Sequence, residues 1–398
     1  MAVLRTIGRN TLKVVVRISR WHIMTLEHFI GTKSISGVRG RFLVEVLYSV
    51  RIPFRTLIRN KIGKWRRLSI KSNIIFFSYM SKIYFWADAD SYIGYGHFIR
   101  TLALAEMLKD DFDCTFFTQF PTTFQKVEVE RICKLVALPN NETKFDVFLN
   151  LLEEKVIVFL DNYFFSSSYQ KQIKNKGCKL VVLSPNDKHH YADVVLNFVE
   201  TDLAKYSVEP YTRILAGLEW SLLRKPFLLP LKERTHSKKH IVTISFGGTD
   251  PYCLTEKAVD NLSSSGFELH CICTSKVDLT RRKDFERQGV ICHVDITAQQ
   301  VAEVFERSFC CILSSSNICL EALSRGSKVL AGYYIQNQER LYHLLTLQRL
   351  ITGLGDLNCY DFNNLCSDIA SVENKGYLKI DFTNQKQRYV NLFKELCR

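Results

Sequence analysis

Residues 83–108 have the sequence IYFWADADSYIGYGHFIRTLALAEML, and this stretch decides the fold. Residues 83–87 are apolar and rich in β-forming side chains, which predicts a buried strand. Residues 97–109 place Ile99, Leu102 and Ala105 on one face at helical spacing, which predicts an amphipathic helix. A turn with two glycines joins strand to helix, the unit from which parallel α/β sheets are built.

The same alternation of short apolar runs and helix-length segments continues along the chain. Further strands are expected at residues 114–118, 156–160, 180–183 and 194–197, and a second series begins at residue 240 after a basic segment that contains Pro226 and Pro230. The sequence therefore predicts an α/β protein with two doubly wound, Rossmann-like domains, residues 80–222 and 238–398. Ligands of such sheets bind beyond the carboxyl ends of the strands, so the cleft between the domains is the expected site.

The excess of positive over negative charge lies entirely in the first 79 residues, here called the leader. The leader holds 16 of the 54 basic residues and two of the 40 acidic residues. The remainder of the chain therefore carries 38 basic and 38 acidic residues. The leader has no sustained hydrophobic period. Three interpretations remain open: a disordered basic arm that contacts anionic lipid, an arginine-rich targeting segment, or sequence upstream of a true start at Met80, which we favour. Nucleic-acid binding is not expected of the neutral remainder.

The cysteines and the hydropathy point to a cytoplasmic protein without a spanning helix. All 13 cysteines follow residue 100, their number is odd, and no CxxC pair occurs, which favours free thiols and gives no zinc motif. No window of 18 residues is both apolar and uncharged. The sequence demands no metal and no cofactor, and it does not indicate the oligomeric state.

Two glycine turns are candidate sites for close approach to a ligand. Gly94-Tyr95-Gly96-His97 precedes the first helix, although the third glycine of a dinucleotide fingerprint is missing, and a plain turn with a helix-capping His97 is the alternative. Phe246-Gly247-Gly248-Thr249-Asp250 stands at the corresponding place in the second domain. Its backbone amides could cradle phosphates, or it could simply punctuate the chain.

Polar residues follow three further strands. Ser314-Ser315-Ser316-Asn317 precedes a helix, where hydroxyls and free amides suit phosphate oxygens, and Glu321 one turn later could accept the hydroxyls of a ribose or face solvent. Asp161-Asn162-Tyr163 and Asn337-Gln338 lie at the same expected edge. These could bind a sugar or be ordinary turn residues.

Seven motifs taken in order resemble a known family. They are residues 87–90, 93–100, 161–163, 221–224, 246–250, 314–323 and 337–338. Together they are similar to the hydrolases of pseudaminic acid biosynthesis that remove UDP from UDP-2,4-diacetamido-2,4,6-trideoxy-β-L-altropyranose. The resemblance implies a two-domain glycosyltransferase type B (GT-B) fold.

The resemblance also implies roles for individual residues. His97 matches the proposed catalytic histidine, and Tyr163 and Asn337 match polar residues of the sugar site. The expected uridine diphosphate site contains Gly247, Gly248, Ser315, Ser316 and Glu321. Further substrate contacts are expected from Asp88, Gly94, Gly96, Asn317 and Gln338.

One position departs from the family pattern. Ser184-Pro185 stands where the family often has paired aspartates, with Asn186-Asp187 following. If those acids orient the sugar or the water, activity or sugar preference would change, whereas the fold would not.

The implied reaction is attack of water on the anomeric carbon with UDP as the leaving group. A histidine is mostly neutral near pH 7 and can accept the proton, and the loop amides can stabilise the phosphates. Two alternatives stay open. A transferase of the same fold would use an acceptor hydroxyl in place of water, and a nucleotide-sugar binding protein would have no turnover.

Overall fold

The computed structural model describes residues 80–89, 94–183, 188–200, 202–231, 240–248, 250–372, 376–378 and 380–398, together with the backbone of five strands near the start of the chain. The chain divides into two compact units, Met1–Tyr79 and Met80–Arg398. In the first unit β1–β3 form one antiparallel sheet and β4–β5 another, which the broken apolar runs did not predict. These strands are β1 Ala2–Thr6, β2 Thr11–Ser19, β3 His22–Phe29, β4 Phe54–Arg59 and β5 Trp65–Ile70.

A seven-stranded parallel sheet forms the first half of the second unit, in the order β14-β12-β10-β9-β6-β7-β8. Its elements are β6 Lys82–Trp86, α1 Gly96–Leu108, β7 Asp113–Gln119, α2 Thr123–Glu130, β8 Lys134–Leu138, α3 Thr143–Leu151, β9 Ile157–Leu160, α4 Ser167–Asn175, β10 Lys179–Leu183, β12 Val194–Asn197 and β14 Arg213–Ala216, with a small pair formed by β11 His189–His190 and β13 Ser207–Val208.

A six-stranded parallel sheet forms the second half, in the order β17-β16-β15-β18-β19-β20. Its elements are β15 Ile241–Ser245, α5 Leu254–Leu262, β16 Glu268–Cys273, α6 Leu279–Arg287, β17 Ile291–Val294, α7 Ala298–Arg307, β18 Cys310–Ser314, α8 Asn317–Ser324, β19 Lys328–Tyr333, α9 Gln336–Leu347, β20 Thr352–Asp356, α10 Leu365–Val372 and α11 Gln385–Leu396.

The central strands of both sheets are buried on both faces, which is why they are apolar without alternation. Every residue of β9, β12, β15 and β18 is buried. Helices cover both faces of each sheet, and the predicted pair of doubly wound domains is confirmed.

The last helix returns from the second sheet to the first. In α11, Lys386 and Lys394 form ion pairs with Asp110 and Asp111, which directly follow α1, and the ring of Phe393 packs against Phe112. Residues 385–396 lie within the range predicted for the second domain. The helix α11 that they form packs against the first domain and so links the two domains.

All 13 cysteines are free thiols. In the part of the chain that the structure describes, no helix is long and apolar enough to cross a membrane.

Removing residues 1–79 should leave the second unit folded, because the chain divides between Tyr79 and Met80 and the two parallel sheets lie wholly in residues 80–398. A protein that starts at Met80 should show the circular dichroism of an α/β fold and keep the melting temperature of the full-length protein. Aggregation or a lowered melting temperature of the shortened protein would show that the leader supports the fold.

Candidate active site

A buried network of charged side chains lies where the first glycine turn meets strand β9. His97 is in the first turn of α1, and its Nδ1 atom is 2.7 Å from Oδ1 of Asp161, the residue that follows β9. Arg100 Nε and Thr101 Oγ1 donate to Oδ2 of the same carboxylate at 2.6 and 3.1 Å. Three residues of α1 therefore converge on one aspartate.

The hydrogen bonds assign the tautomer of His97. Its Nδ1 atom has two close neighbours, Asp161 Oδ1 and Arg100 Nη2, the latter at 2.9 Å. A guanidinium only donates and a carboxylate only accepts, so one nitrogen cannot satisfy both. Arg100 Nη2 already donates to Asp161 Oδ1 at 2.5 Å. We therefore assign the hydrogen to Nδ1, donating to Asp161, which leaves the lone pair of His97 on Nε2.

Charge pairing keeps Asp161 ionised although it is fully buried. Burial by itself raises the pKa of a carboxyl, but here Arg100 and His97 outweigh it and lower the pKa of Asp161 from 3.8 to about 2. Burial by itself lowers the pKa of Arg100. The charge of Asp161 outweighs burial, so the pKa of Arg100 is raised above its ordinary value. The pair is therefore ionised at neutral pH and presents a fixed negative charge to the imidazole.

Tyr163 stands over His97. The two rings meet edge to face with centroids 4.7 Å apart, and 54% of the tyrosine is exposed. Lys188 fixes the backbone by donating to the carbonyl of Tyr163 at 3.1 Å. The structure thus brings the predicted catalytic histidine next to one of the two predicted sugar-site residues, and the tyrosine is accessible to a ligand.

Asp88, a predicted substrate contact, is buried among protein donors. It is fully buried, and its carboxylate accepts hydrogen bonds from the Trp86 indole, the backbone of Gln119 and the Lys144 ammonium at 3.0, 2.8 and 3.2 Å. The backbone nitrogen of Asp88 donates to Oδ1 of Asn162 at 2.7 Å. The carboxylate oxygens of Asp88 serve the framework that joins β6, β7 and α3, which leaves the carboxylate no exposed surface for the predicted substrate contact.

The first glycine turn leaves the start of α1 open. Gly94 has φ of +81°, in the left-handed region that favours glycine. A Cβ added at Gly94 or Gly96 would meet no described residue within 4 Å. The residue that caps the helix, Tyr95, makes no side-chain cap bond, and the first turn has no acid. The alternative of a helix-capping His97 is wrong, since its ring bonds Asp161. The positive end of α1 faces the space beside His97.

The second glycine turn is held tightly on one side. Gly247 has φ of +102°, and the side chain of Thr274 lies so close to Gly248 that an added Cβ would be 2.9 Å from its methyl carbon. The Thr274 hydroxyl also donates to the carbonyl of Gly248. Glycine is therefore required at both positions by the protein itself, before any ligand is considered.

Asp250 changes what this second turn can offer to phosphates. Its two carboxylate oxygens accept from the backbone nitrogens of Leu254 and Thr255, both at 2.9 Å, and so cap α5. Two amides at the start of α5 are thus occupied by the protein itself and are not open to a phosphate. Thr249 and the Ser184 to Asp187 segment lie outside the described residues.

The start of α8 is open instead. Among the residues that the structure describes, the Oγ atom of Ser315 is buried without a hydrogen-bond partner. Ser316 precedes the helix without a side-chain cap bond. Asn317 donates to the carbonyl of Leu222 at 3.4 Å, which ties this helix start to the segment between the domains. A buried hydroxyl without a partner is costly, so a ligand with acceptor oxygens would satisfy it.

Glu321 lies one turn into α8 and is paired rather than facing solvent. Arg224 donates to its two oxygens through Nε and Nη2, each at 2.7 Å, and the carboxylate is 6% exposed. The pKa of Arg224 is raised, because Glu321 outweighs the effect of burial. Each carboxylate oxygen has further lone pairs, so Glu321 can still accept hydroxyl groups.

The two residues expected after β19 differ in their surroundings. Asn337 is exposed in the first turn of α9, whereas Gln338 is buried and accepts from the backbone of Tyr334 at 3.1 Å. Asn337 is thus free to meet a ligand, and Gln338 supports the loop. Among the described residues no group of three His, Cys, Asp or Glu side chains could hold a metal ion.

Sequence reasoning missed the two arginines that organise this site. Arg100 stands three residues after His97, on the same helix face, and that spacing could have revealed it. Arg224 belongs to a motif noted in the sequence, but its partner Glu321 is 97 residues away. No local pattern indicates that pair.

Comparison with known proteins supports the resemblance. No protein-family model matches the chain. Over 268 residues it is 26% identical to the UDP-2,4-diacetamido-2,4,6-trideoxy-beta-L-altropyranose hydrolase of Campylobacter jejuni, covering 65% of this chain and 93% of that enzyme. It is 27% identical over 284 residues to an uncharacterised protein of Methanocaldococcus jannaschii, covering 66% of this chain and 57% of that protein. The sequence resemblance to this hydrolase is confirmed.

Solved structures show the fold. MurG of Acinetobacter baumannii aligns with a TM-score of 0.52 at 10% identity, covering 79% of this chain and 99% of that one. The calicheamicin glycosyltransferase CalG4 aligns with a TM-score of 0.50 at 9% identity, covering 80% of this chain and 95% of that one. HepE of Anabaena, solved with UDP and glucose, aligns with a TM-score of 0.51 at 12% identity, covering 80% of this chain and 99% of that one. The chain has the GT-B fold, with two Rossmann-like domains, as expected.

Proposed function

We propose that this protein is a nucleotide-sugar hydrolase that releases UDP from UDP-2,4-diacetamido-2,4,6-trideoxy-β-L-altropyranose, in the pseudaminic acid route. Similarity to the Campylobacter jejuni enzyme of that activity supports the substrate. The observation that carries the proposed reaction is the His97–Asp161 pair, in which Nδ1 is bound by a buried carboxylate and Nε2 is left to accept a proton.

In the proposed reaction His97 is the general base. Its Nε2 takes a proton from water while the water oxygen forms a bond to the anomeric carbon. The bond from that carbon to the β-phosphate oxygen breaks, and UDP leaves with the electron pair. Asp161 stabilises the imidazolium that forms, and Arg100 keeps Asp161 ionised so that this charge is available.

The leaving nucleotide is assigned to the second domain. The unpartnered hydroxyl of Ser315 and the open start of α8 would donate to phosphate oxygens, and Glu321 would accept the ribose hydroxyls. On the sugar side we assign Tyr163 and Asn337, the exposed polar residues at the ends of β9 and β19.

A glycosyltransferase is the second candidate, because the structural neighbours include one. In that reaction an acceptor hydroxyl would replace water at His97. The distinguishing experiment incubates the protein with the UDP-sugar and no acceptor. Stoichiometric free UDP and free sugar support hydrolysis, whereas UDP that appears only after an acceptor is added supports transfer, and tight binding without UDP release supports a binding protein.

Glu321→Ala should weaken UDP binding roughly 10- to 150-fold, the equivalent of about 1.5–3 kcal/mol for hydrogen bonds to a charged group. Removing the carboxylate takes away the ribose acceptor and leaves the partly buried Arg224 without its partner. Isothermal titration calorimetry with UDP measures the loss, and a melting curve shows whether the protein stays folded. Glu303→Ala, an exposed glutamate of α7, is the matched control. Unchanged UDP affinity in Glu321→Ala would remove the ribose assignment.

A further inference from the structure

A lysine of the second domain contacts the first glycine turn across the cleft. The Nζ atom of Lys276 lies 4.4 Å from the centroid of the Tyr95 ring. Tyr95 stands between Gly94 and Gly96 and two residues before His97, whereas Lys276 is in the loop that follows β16. This contact joins the loop that carries the proposed base to the domain assigned to the nucleotide.

The loop of Lys276 is also fixed against the second glycine turn. The Thr274 hydroxyl donates to the carbonyl of Gly248 and accepts from the backbone nitrogen of Lys276 at 3.3 Å. The backbone of Ser275 donates to Asp295 at 3.0 Å. The backbone of this loop is therefore anchored beside Gly248, and the side chain of Lys276 extends from there to the Tyr95 ring.

The arginines around the cleft are already paired with carboxylates. Arg100 binds Asp161, Arg224 binds Glu321, and Arg281 lies 3.4 Å from Asp250. Lys276 is exposed and has an aromatic ring as its partner, with no carboxylate at ion-pair distance in the described part of the chain. A contact with a ring face is weaker than a charge-assisted hydrogen bond to a phosphate.

We propose that Lys276 binds the diphosphate of the nucleotide, leaving the Tyr95 ring to do so. This inference rests on the proposed function. It adds a cation to the diphosphate contacts, for which that proposal otherwise supplies the start of α8 and the hydroxyl of Ser315. Its positive charge offsets the negative charge that develops on the leaving phosphate oxygen. The lysine is then a substrate-binding residue that the second domain supplies beside the first glycine turn.

The test compares UDP with uridine on the full-length protein by calorimetry. Lys276→Met should weaken UDP binding roughly 10- to 100-fold, since one charged hydrogen bond to phosphate is lost, and should leave uridine binding unchanged. Lys276→Arg should retain most of the UDP affinity. Lys283→Met, which removes the same charge from an exposed position of α6, should bind both ligands as the wild type does.

Two results would overturn the proposal: UDP affinity of Lys276→Met within twofold of wild type, or an equal loss for UDP and uridine, which would mean a damaged loop. The proposed hydrolysis fails separately. Wild-type protein that binds UDP through Lys276 but releases none from the UDP-sugar supports the diphosphate contact and refutes the hydrolase.

Discussion

His97→Asn should lower the turnover number for UDP release by about 10² to 10⁴, the usual contribution of a positioned general base. Asparagine keeps polarity and can still donate to Asp161, but its amide cannot accept a proton at neutral pH. The loss should therefore fall on turnover, while UDP affinity and the melting temperature stay near those of the wild type. Steady-state kinetics of UDP release, calorimetry and a melting curve measure the three quantities.

Turnover of His97→Asn within a few fold of wild type would contradict the assignment. Tyr163 would then be the candidate that remains next to the histidine. Asp88 could not replace it, because its carboxylate is fully buried among protein donors.

Asp161→Asn should reduce turnover by a similar factor of about 10² to 10⁴ and should also destabilise the protein. An asparagine amide can donate to Nδ1, which would move the hydrogen of His97 to Nε2 and remove the base. It also leaves Arg100 buried without its counter-charge, and breaking a buried pair costs about 3–5 kcal/mol of unfolding free energy. Denaturant unfolding and kinetics on the same preparation measure both effects.

The stability difference between wild type and Asp161→Asn should depend on pH in a set direction. Because folding lowers the pKa of Asp161 from 3.8 to about 2, its ionised form stabilises the folded state above pH 3.8. That stabilisation is lost as the pH falls through about 2, so the difference should shrink between pH 4 and 2. Asp110→Asn, at an exposed ion pair, is the control and should change stability little. A difference that does not vary over this range would contradict the charge pairing.

Much of the fold could be predicted from the buried strands. The strands expected at residues 83–87, 114–118 and 194–197 correspond to β6, β7 and β12 within one or two residues at each end. Such strands are buried on both faces, so their apolar runs are continuous and short. The helix α6 was missed because its sequence, LTRRKDFER, has one fully buried side chain, that of Phe285, and no apolar stripe.

The site was predictable where it depends on local sequence and unpredictable where it depends on distant pairs. His97 and Tyr163 meet because both lie at the carboxyl edge of adjacent parallel strands, β6 and β9. The pairing of Glu321 with Arg224, the capping of α5 by Asp250 and the burial of Asp88 arise from tertiary packing. The local sequence around each of these carboxylates does not indicate whether it binds a ligand, caps a helix or is buried in an ion pair.

Isotope labelling in water tests the central claim most directly. The protein is incubated with UDP-2,4-diacetamido-2,4,6-trideoxy-β-L-altropyranose in ¹⁸O-enriched water without an acceptor, and the released UDP is analysed by mass spectrometry. Attack at the anomeric carbon predicts free UDP without ¹⁸O, because the bond from that carbon to the phosphate oxygen is the one that breaks. Release of ¹⁸O-labelled UDP, or no release of UDP at all, would contradict it.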